Sequence, residues 1–177
     1  MDETGTVYRS VMLTIVDSSR YEMDLQEVGL VNTATWVPGQ APVLYQEIPS
    51  NSHVIWVAQT TTPRTGVSGY LTFAMPQGGI LQLNWDLPWV EPFTYKSTWL
   101  QQYDQQLTAS VVPDCGDPAH VNLQLTLFVE YVVQPNDTFD DIAHKFDIPV
   151  QRLYAAVNGS LEPGMHIVIP PPDADEE

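Results

Sequence analysis

The stretch from Tyr131 to Pro170 constrains this chain more than any other, because its apolar period switches from strand to helix and back. Tyr131–Val133 reads as a short strand. Asn136-Asp137-Thr138 then opens a helix: Thr138 can accept the N-cap hydrogen bond, and Asp141 three residues later completes a capping-box pattern. Phe139, Ile142, Ala143 and Phe146 follow at helical spacing and form one apolar stripe. Pro149 is suited to start a second helix, in which Val150, Leu153, Tyr154 and Val157 repeat the spacing. Asn158-Gly159 stops it, since both residues tolerate left-handed backbone. Met165, Ile167 and Ile169 alternate along a closing strand that should pair with Tyr131–Val133. The result is a small α+β unit of βααβ order. So small a core is marginal alone, so it is expected to lean on the rest of the chain.

Residues 1–130 read differently. VYRSVMLTIV (7–16) suits a strand, and Tyr21, Met23 and Leu25 alternate with polar neighbours. PVLYQEI (42–48), HVIWVAQ (53–59), GYLTFAM (69–75) and ILQLNWD (80–86) follow, with turn residues between them. Pro76-Gln77-Gly78-Gly79 suits a hairpin with glycine free to take positive φ. From Val121 to Val129 the alternation is the strongest in the chain. Short strands at such spacing predict a mainly β domain, an antiparallel β-sandwich, at 1–130. The boundary falls near Glu130 with almost no linker, which implies a fixed relation between the two units. The Pro-rich acidic end, 171–177, is expected to be disordered.

The formal net charge is -16, spread over both units. Phosphate binding needs clustered Lys and Arg, so no nucleic acid partner is expected, and strongly anionic membranes would repel the chain. Uncharged glycans and neutral lipids stay open. Cys115 stands alone, can form no intrachain disulfide and is expected to be a buried or idle thiol. The start, MDETGTVYRS, lacks the basic and apolar regions of a signal peptide, so the expectation is a cytoplasmic protein or leaderless export.

The order of signals over 131–170 resembles the LysM module, which binds glycans built from N-acetylglucosamine. Tyr131, Val133, Asp137, Thr138, Ile142, Ala143, Leu153, Asn158, Pro163, Gly164, Ile169 and Pro170 carry the resemblance. Asn136 stands where the family usually has Gly; Asn can take positive φ, so the turn should survive. The loop from Asn158 to Glu162 is short, which implies a shallow groove. The resemblance implies a groove lined by Asp137, Thr138, Phe139 and Asp140 on one side and by Gly159, Ser160, Leu161 and Glu162 on the other. Backbone amides would hold the N-acetyl group and Leu161 would pack its methyl. On their own, these residues also read as caps and turns. Two N-x-[ST] sequons, at Asn136 and Asn158, fall at this groove, so eukaryotic secretion would place glycans across it.

Between Tyr70 and Trp99 the first domain is crowded with aromatic residues. In Trp85-Asp86-Leu87-Pro88-Trp89 the Asp and Pro favour a strand end and a turn, so at least one Trp is expected to be partly exposed; the alternative is that both fill the core. The segment resembles the aegerolysins, small β-sandwich proteins that recognise sphingolipid-containing membranes, and in general look the actinoporins. Trp85, Asp86, Pro88 and Trp89 match the family's Trp-Asp-Cys-Pro-Trp, while Leu87 replaces the cysteine and Val90 the following glycine. Gly66 and Gly69 fall near the family's upstream glycines. The candidate membrane- or partner-binding residues are Trp85, Asp86, Trp89, Tyr95 and Trp99.

No catalytic pattern is present: no HExxH, paired cysteines, phosphate loop or Gly-x-Ser-x-Gly occurs, and the four histidines are scattered. Asp114-Cys115-Gly116-Asp117 reads as a turn. The sequence therefore predicts a non-enzymatic binding protein without cofactor or metal. Its partners would be an N-acetylglucosamine glycan, peptidoglycan or chitin, and a neutral or sphingolipid membrane or a partner protein, with a toxin or defence role following from that pair. The rival reading is a docking component of a large assembly, such as a contractile injection machine, that uses the LysM fold for protein contacts.

Overall fold

The structure, a computed structural model, describes residues 5–102 and 104–171, without the Gln77 side chain; from residue 172 the expected acidic tail lies outside the described residues. The chain forms β1 (Arg9–Ser18), β2 (Met23–Val31), β3 (Thr35–Trp36), β4 (Glu47–Ile48), β5 (Ser52–Thr60), β6 (Val67–Ala74), β7 (Ile80–Leu87), β8 (Thr94–Gln101), β9 (Leu107–Asp117), β10 (His120–Val132), α1 (Phe139–Phe146), α2 (Val150–Val157) and β11 (His166–Ile169). One sheet runs β11-β10-β1-β5-β3 with β9 on the far side of β10; the other runs β4-β2-β6-β7-β8. The architecture is a β-sandwich with a small C-terminal α+β region.

Period-two alternation builds the interface. Leu13, Ile15, Leu123 and Leu125 of one sheet face Leu25, Leu71, Phe73 and Leu83 of the other, all fully buried. Trp56 stacks on Phe73 with ring centroids 6.5 Å apart. Gly69 has a packing reason: a Cβ there would meet the Gly29 carbonyl and the Trp85 ring, each at 2.5 Å.

Several expectations are corrected. The pairing is antiparallel except between β1 and β10, which run parallel because β10 inserts between β1 and its own hairpin partner β9. The expected strand 42–48 shrinks to β4: Pro42 has no N–H to donate, and a turn from Val43 to Gln46 leaves only the Tyr45 amide and the Gln46 carbonyl bonded to Leu25 before β4 begins. Asp114–Asp117 lies in β9 rather than in a free turn, and Cys115 is exposed there, so of the two readings of its thiol the buried one falls. An edge strand accepts Pro113 and Gly116 because only one side of it must bond.

The two units share a strand. β1 accompanies β10 as far as Ser18, which pairs with Phe128; at the next residue Val129 pairs with Ile169, so β11 takes over the same edge. On the other edge β9 continues to Leu107, opposite Val129. The buried side chains of the C-terminal unit, among them Tyr131, Ile142, Phe146 and Leu153, join the sandwich core in one continuous cluster.

Candidate functional site

The C-terminal unit folds as its sequence dictates locally. Thr138 is the N-cap of α1: its hydroxyl accepts from the Asp141 amide at 3.1 Å, and the Asp141 carboxylate accepts from the Thr138 amide at 3.2 Å. Asn136 takes φ 72, the left-handed conformation anticipated for it. Asn158 caps α2 at φ 49. Leu153 is fully buried, but Tyr154 departs from the anticipated apolar stripe: it is 52% exposed and stacks on Phe139 at 4.0 Å between centroids.

Both loops that border the candidate groove leave one end of the two-stranded ribbon. Val133, at the end of β10, donates to the Met165 carbonyl at 2.9 Å and accepts from the Gly164 amide at 2.8 Å. The loop entering α1 and the loop leaving α2 therefore start from neighbouring positions. Asp137 braces the first: its Oδ2 accepts from the Gln134 amide at 2.7 Å and from the Tyr131 hydroxyl at 2.8 Å. The Gln134 hydrogen bond, then the Tyr131 one, hold its carboxyl below the usual range, with a smaller pull from Lys145, whose Nζ sits 4.4 Å over the Tyr131 ring. Burial, then the Asp137 contact, push the Tyr131 hydroxyl up. The side chains of Asp137 and Thr138 are thus engaged within the loop. The amides of Phe139 and Asp140 open the helix, where no intrahelical partner exists. Asp140, Gly159, Ser160 and Glu162 are exposed, and Leu161 is half-buried against the core. Sequence reasoning passed over the Tyr131 hydroxyl as a brace and Tyr154 as a surface residue; a tyrosine in an otherwise aliphatic stripe is the signal that could have marked the latter.

The aromatic group of the sandwich is divided. Trp85 is 3% exposed and packs edge-on to Trp36 at 6.2 Å, so it presents almost no surface. Asp86, next along β7, is exposed and accepts from the Ser68 hydroxyl at 2.5 Å. Trp89 lies in the following loop, 37% exposed, with the Arg9 guanidinium 5.0 Å from its ring centre and Tyr8 edge-on to it. Arg9 fastens that loop by donating to the carbonyls of Trp89 at 2.6 Å and Pro118 at 2.7 Å. Trp89, Val90, Phe93 and Pro118 line a cleft of about 520 Å³ beside Arg9. Tyr95 is exposed and stacks on Phe93, whereas Trp99 sits four residues along β8, half-buried against Met75 and Tyr21. The structure thus keeps Trp89 and Tyr95 near one end, buries Trp85 and sets Trp99 apart.

Among the described residues, no cluster of three or more His, Cys, Asp or Glu side chains could hold a metal ion, and no helix is long and apolar enough to cross a membrane.

Residues 131–170 match the LysM domain family. LysM is a binding module rather than a catalytic one. No curated protein matches the chain in sequence. Among solved structures, the chain is similar to IP-1A from Alcaligenes faecalis, with TM-score 0.50 and 12% identity over 70% of this chain and 94% of that one. It is similar to the RahU protein in complex with a TRIS molecule, with TM-score 0.51 and 12% identity over 69% and 96%. It is also similar to the lipid binding protein Nakanori, with TM-score 0.50 and 8% identity over 69% and 72%. At these identities the likeness is one of fold.

Proposed function

We propose that this is a non-enzymatic binding protein in which residues 131–170 take up an N-acetylglucosamine glycan, peptidoglycan or chitin, beside a sandwich unit, 1–130, that engages a neutral membrane or a partner protein. The match of 131–170 to the LysM domain family carries the reading. The glycan would lie between Asp137–Asp140 and Gly159–Glu162. The Phe139 and Asp140 amides at the head of α1 would meet the N-acetyl carbonyl, and Leu161 its methyl. With its own side chain tied to Tyr131 and Gln134, Asp137 would shape the loop rather than touch sugar. Asp140 and Glu162 leave the groove acidic, which suits an uncharged sugar better than an anionic one.

On the sandwich, Trp89 and Tyr95, with Asp86 at their side, are the accessible members of the aromatic group, while Trp85 is buried in the core and Trp99 lies apart, half-buried. An exposed Trp beside a cation suits a headgroup layer or a protein hot spot. The fold likeness to a lipid binding protein supports the membrane version. A toxin or defence role against cells that display such glycans follows.

Sedimentation with insoluble peptidoglycan and chitin, alongside liposomes with and without sphingolipid, tests both halves. Retention on a glycan that is lost in the Leu161→Ala, Asp140→Ala double variant is the expected result. Retention unchanged in that variant removes the groove assignment. The shared strand β10 favours a second reading, in which the rigidly held groove docks protein inside a larger assembly; binding to none of the surfaces would support it.

A further inference from the structure

The outer edge of β5 is left open, and the geometry of its neighbours shows why. Val57 sends both backbone groups outward: its amide donates to the Gln40 carbonyl at 2.9 Å and its carbonyl accepts from the Val37 amide at 2.8 Å. Backbone direction alternates along a strand, and the β1–β5 register is unbroken from Arg9–Thr60 to Asp17–Ser52. Ile55 and His53 therefore also point their N–H and C=O groups away from β1. β3 covers none of these four groups, because it reaches only Gln59 and Ala58. The turn Val37-Pro38-Gly39-Gln40, with Gly39 at φ 79 and Gln40 donating back to Val37, then turns the chain away from the edge. Pro42 lacks the donor that would resume the ladder. No backbone partner reaches His53 or Ile55 on this side among the described residues.

An apolar groove runs along this edge. Val43, Leu44, Tyr45, Val54, Ile55 and Trp56 line most of a cleft of about 580 Å³. Val43 is 64%, Tyr45 69% and Ile55 45% exposed, an apolar patch on one edge of the sandwich. Tyr45 is held at φ 64, a conformation that bulky residues avoid; its amide donates to the Leu25 carbonyl at 2.7 Å, which fixes it there. No Lys or Arg lines the groove. Next to the groove residue Gln46, Glu47 stands directly opposite Asp24 on the neighbouring strand, two like charges that are in no ion pair among the described residues.

We propose that this edge accepts an extended segment of a partner protein as an added β-strand, apolar at alternate positions and basic at its ends. The segment would bond to His53 and Ile55, lay alternate side chains against Val43, Leu44 and Tyr45, and bring a cation to the Asp24–Glu47 pair. A second copy of this chain fits less well, because two molecules of charge -16 repel. The inference does not depend on the glycan or membrane reading.

The test uses the full chain and a blocked peptide, Lys-Val-Thr-Val-Tyr-Val-Lys, with affinity read by calorimetry. N-methylation should weaken binding about tenfold or more at alternate residues, those facing β5, and hardly at all at the others. A Glu-flanked peptide should bind about tenfold more weakly at low salt. Val43→Glu should weaken binding while leaving the circular dichroism and glycan retention of the protein unchanged. Absence of peptide binding, or loss of affinity on methylation without alternation, overturns the strand mode. Equal binding of the Glu-flanked peptide overturns the basic partner. Sedimentation showing a dimer that Tyr45→Glu dissolves assigns the edge to a second copy instead.

Discussion

Arg20 donates from Nη2 to the main-chain carbonyl of Phe146 at 2.5 Å, joining the turn after β1 to the last residue of α1. A helix leaves its final carbonyls without internal partners, and a cation there also complements the helix dipole. Together with the shared strand β10, this bond anchors the LysM region against the sandwich. Arg20→Ala should destabilise α1 by about 1 kcal/mol while the sandwich keeps its stability. Native-state hydrogen exchange would read this as faster exchange at Ile142–Phe146 and unchanged exchange along β1.

Asp17 gives the fold a pH dependence. It is 1% exposed, and burial pushes its carboxyl from the ordinary 3.8 up to about 6, against the pull of the Ser19 hydroxyl and amide. Its Oδ2 is buried without a partner. Because the folded value is raised, the folded state holds the proton where the unfolded chain has lost it. This group's contribution therefore falls as pH rises between 3.8 and about 6, by about 3 kcal/mol at most. Asp17→Asn should be more stable than the parent near pH 7, with the gap closing near pH 4. Urea denaturation at the two pH values checks it.

The capping of α1 predicts two opposite outcomes. Thr138→Ala removes the acceptor for the Asp141 amide and should cost about 1 kcal/mol of local stability. Asn136→Gly, at φ 72, should be neutral or slightly stabilising, whereas Asn136→Val should destabilise. Exchange rates at Asp141–Ala143 separate the three.

The two tryptophans of the Trp-Asp-Leu-Pro-Trp segment should behave differently. Trp85→Ala empties a site in the core and should cost about 3–5 kcal/mol, seen as a lowered Tm. Trp89→Ala removes a partly exposed ring and should cost about 1 kcal/mol or less of stability. Under the membrane reading it should nevertheless abolish liposome retention; full retention would move that contact elsewhere.

Local signals carried much of the fold. The capping box at Thr138 and Asp141, the stop at Asn158 and the pairing of Tyr131–Val133 with Met165–Ile169 were legible because each is decided within a few residues. The edges were not. β8 and β9 were passed over; in β9, Pro113, Asp114 and Gly116 read as turn residues, which an edge strand tolerates. Tyr154 has the spacing of a core residue, yet α2 has only one neighbouring layer and leaves it at the surface. Composition could not tell which of Trp85 and Trp89 faces inward.

By itself the sequence determined the periodicities, the caps and the kind of module at its C-terminal end, because these rest on backbone geometry and nearest neighbours. Only the tertiary structure decided that β10 belongs to both units, that Asp17 is buried with an unpaired oxygen, and that β5 keeps an open side. Those outcomes depend on which distant segments meet, and chain pairing at long range is set by the whole packing rather than by any one stretch.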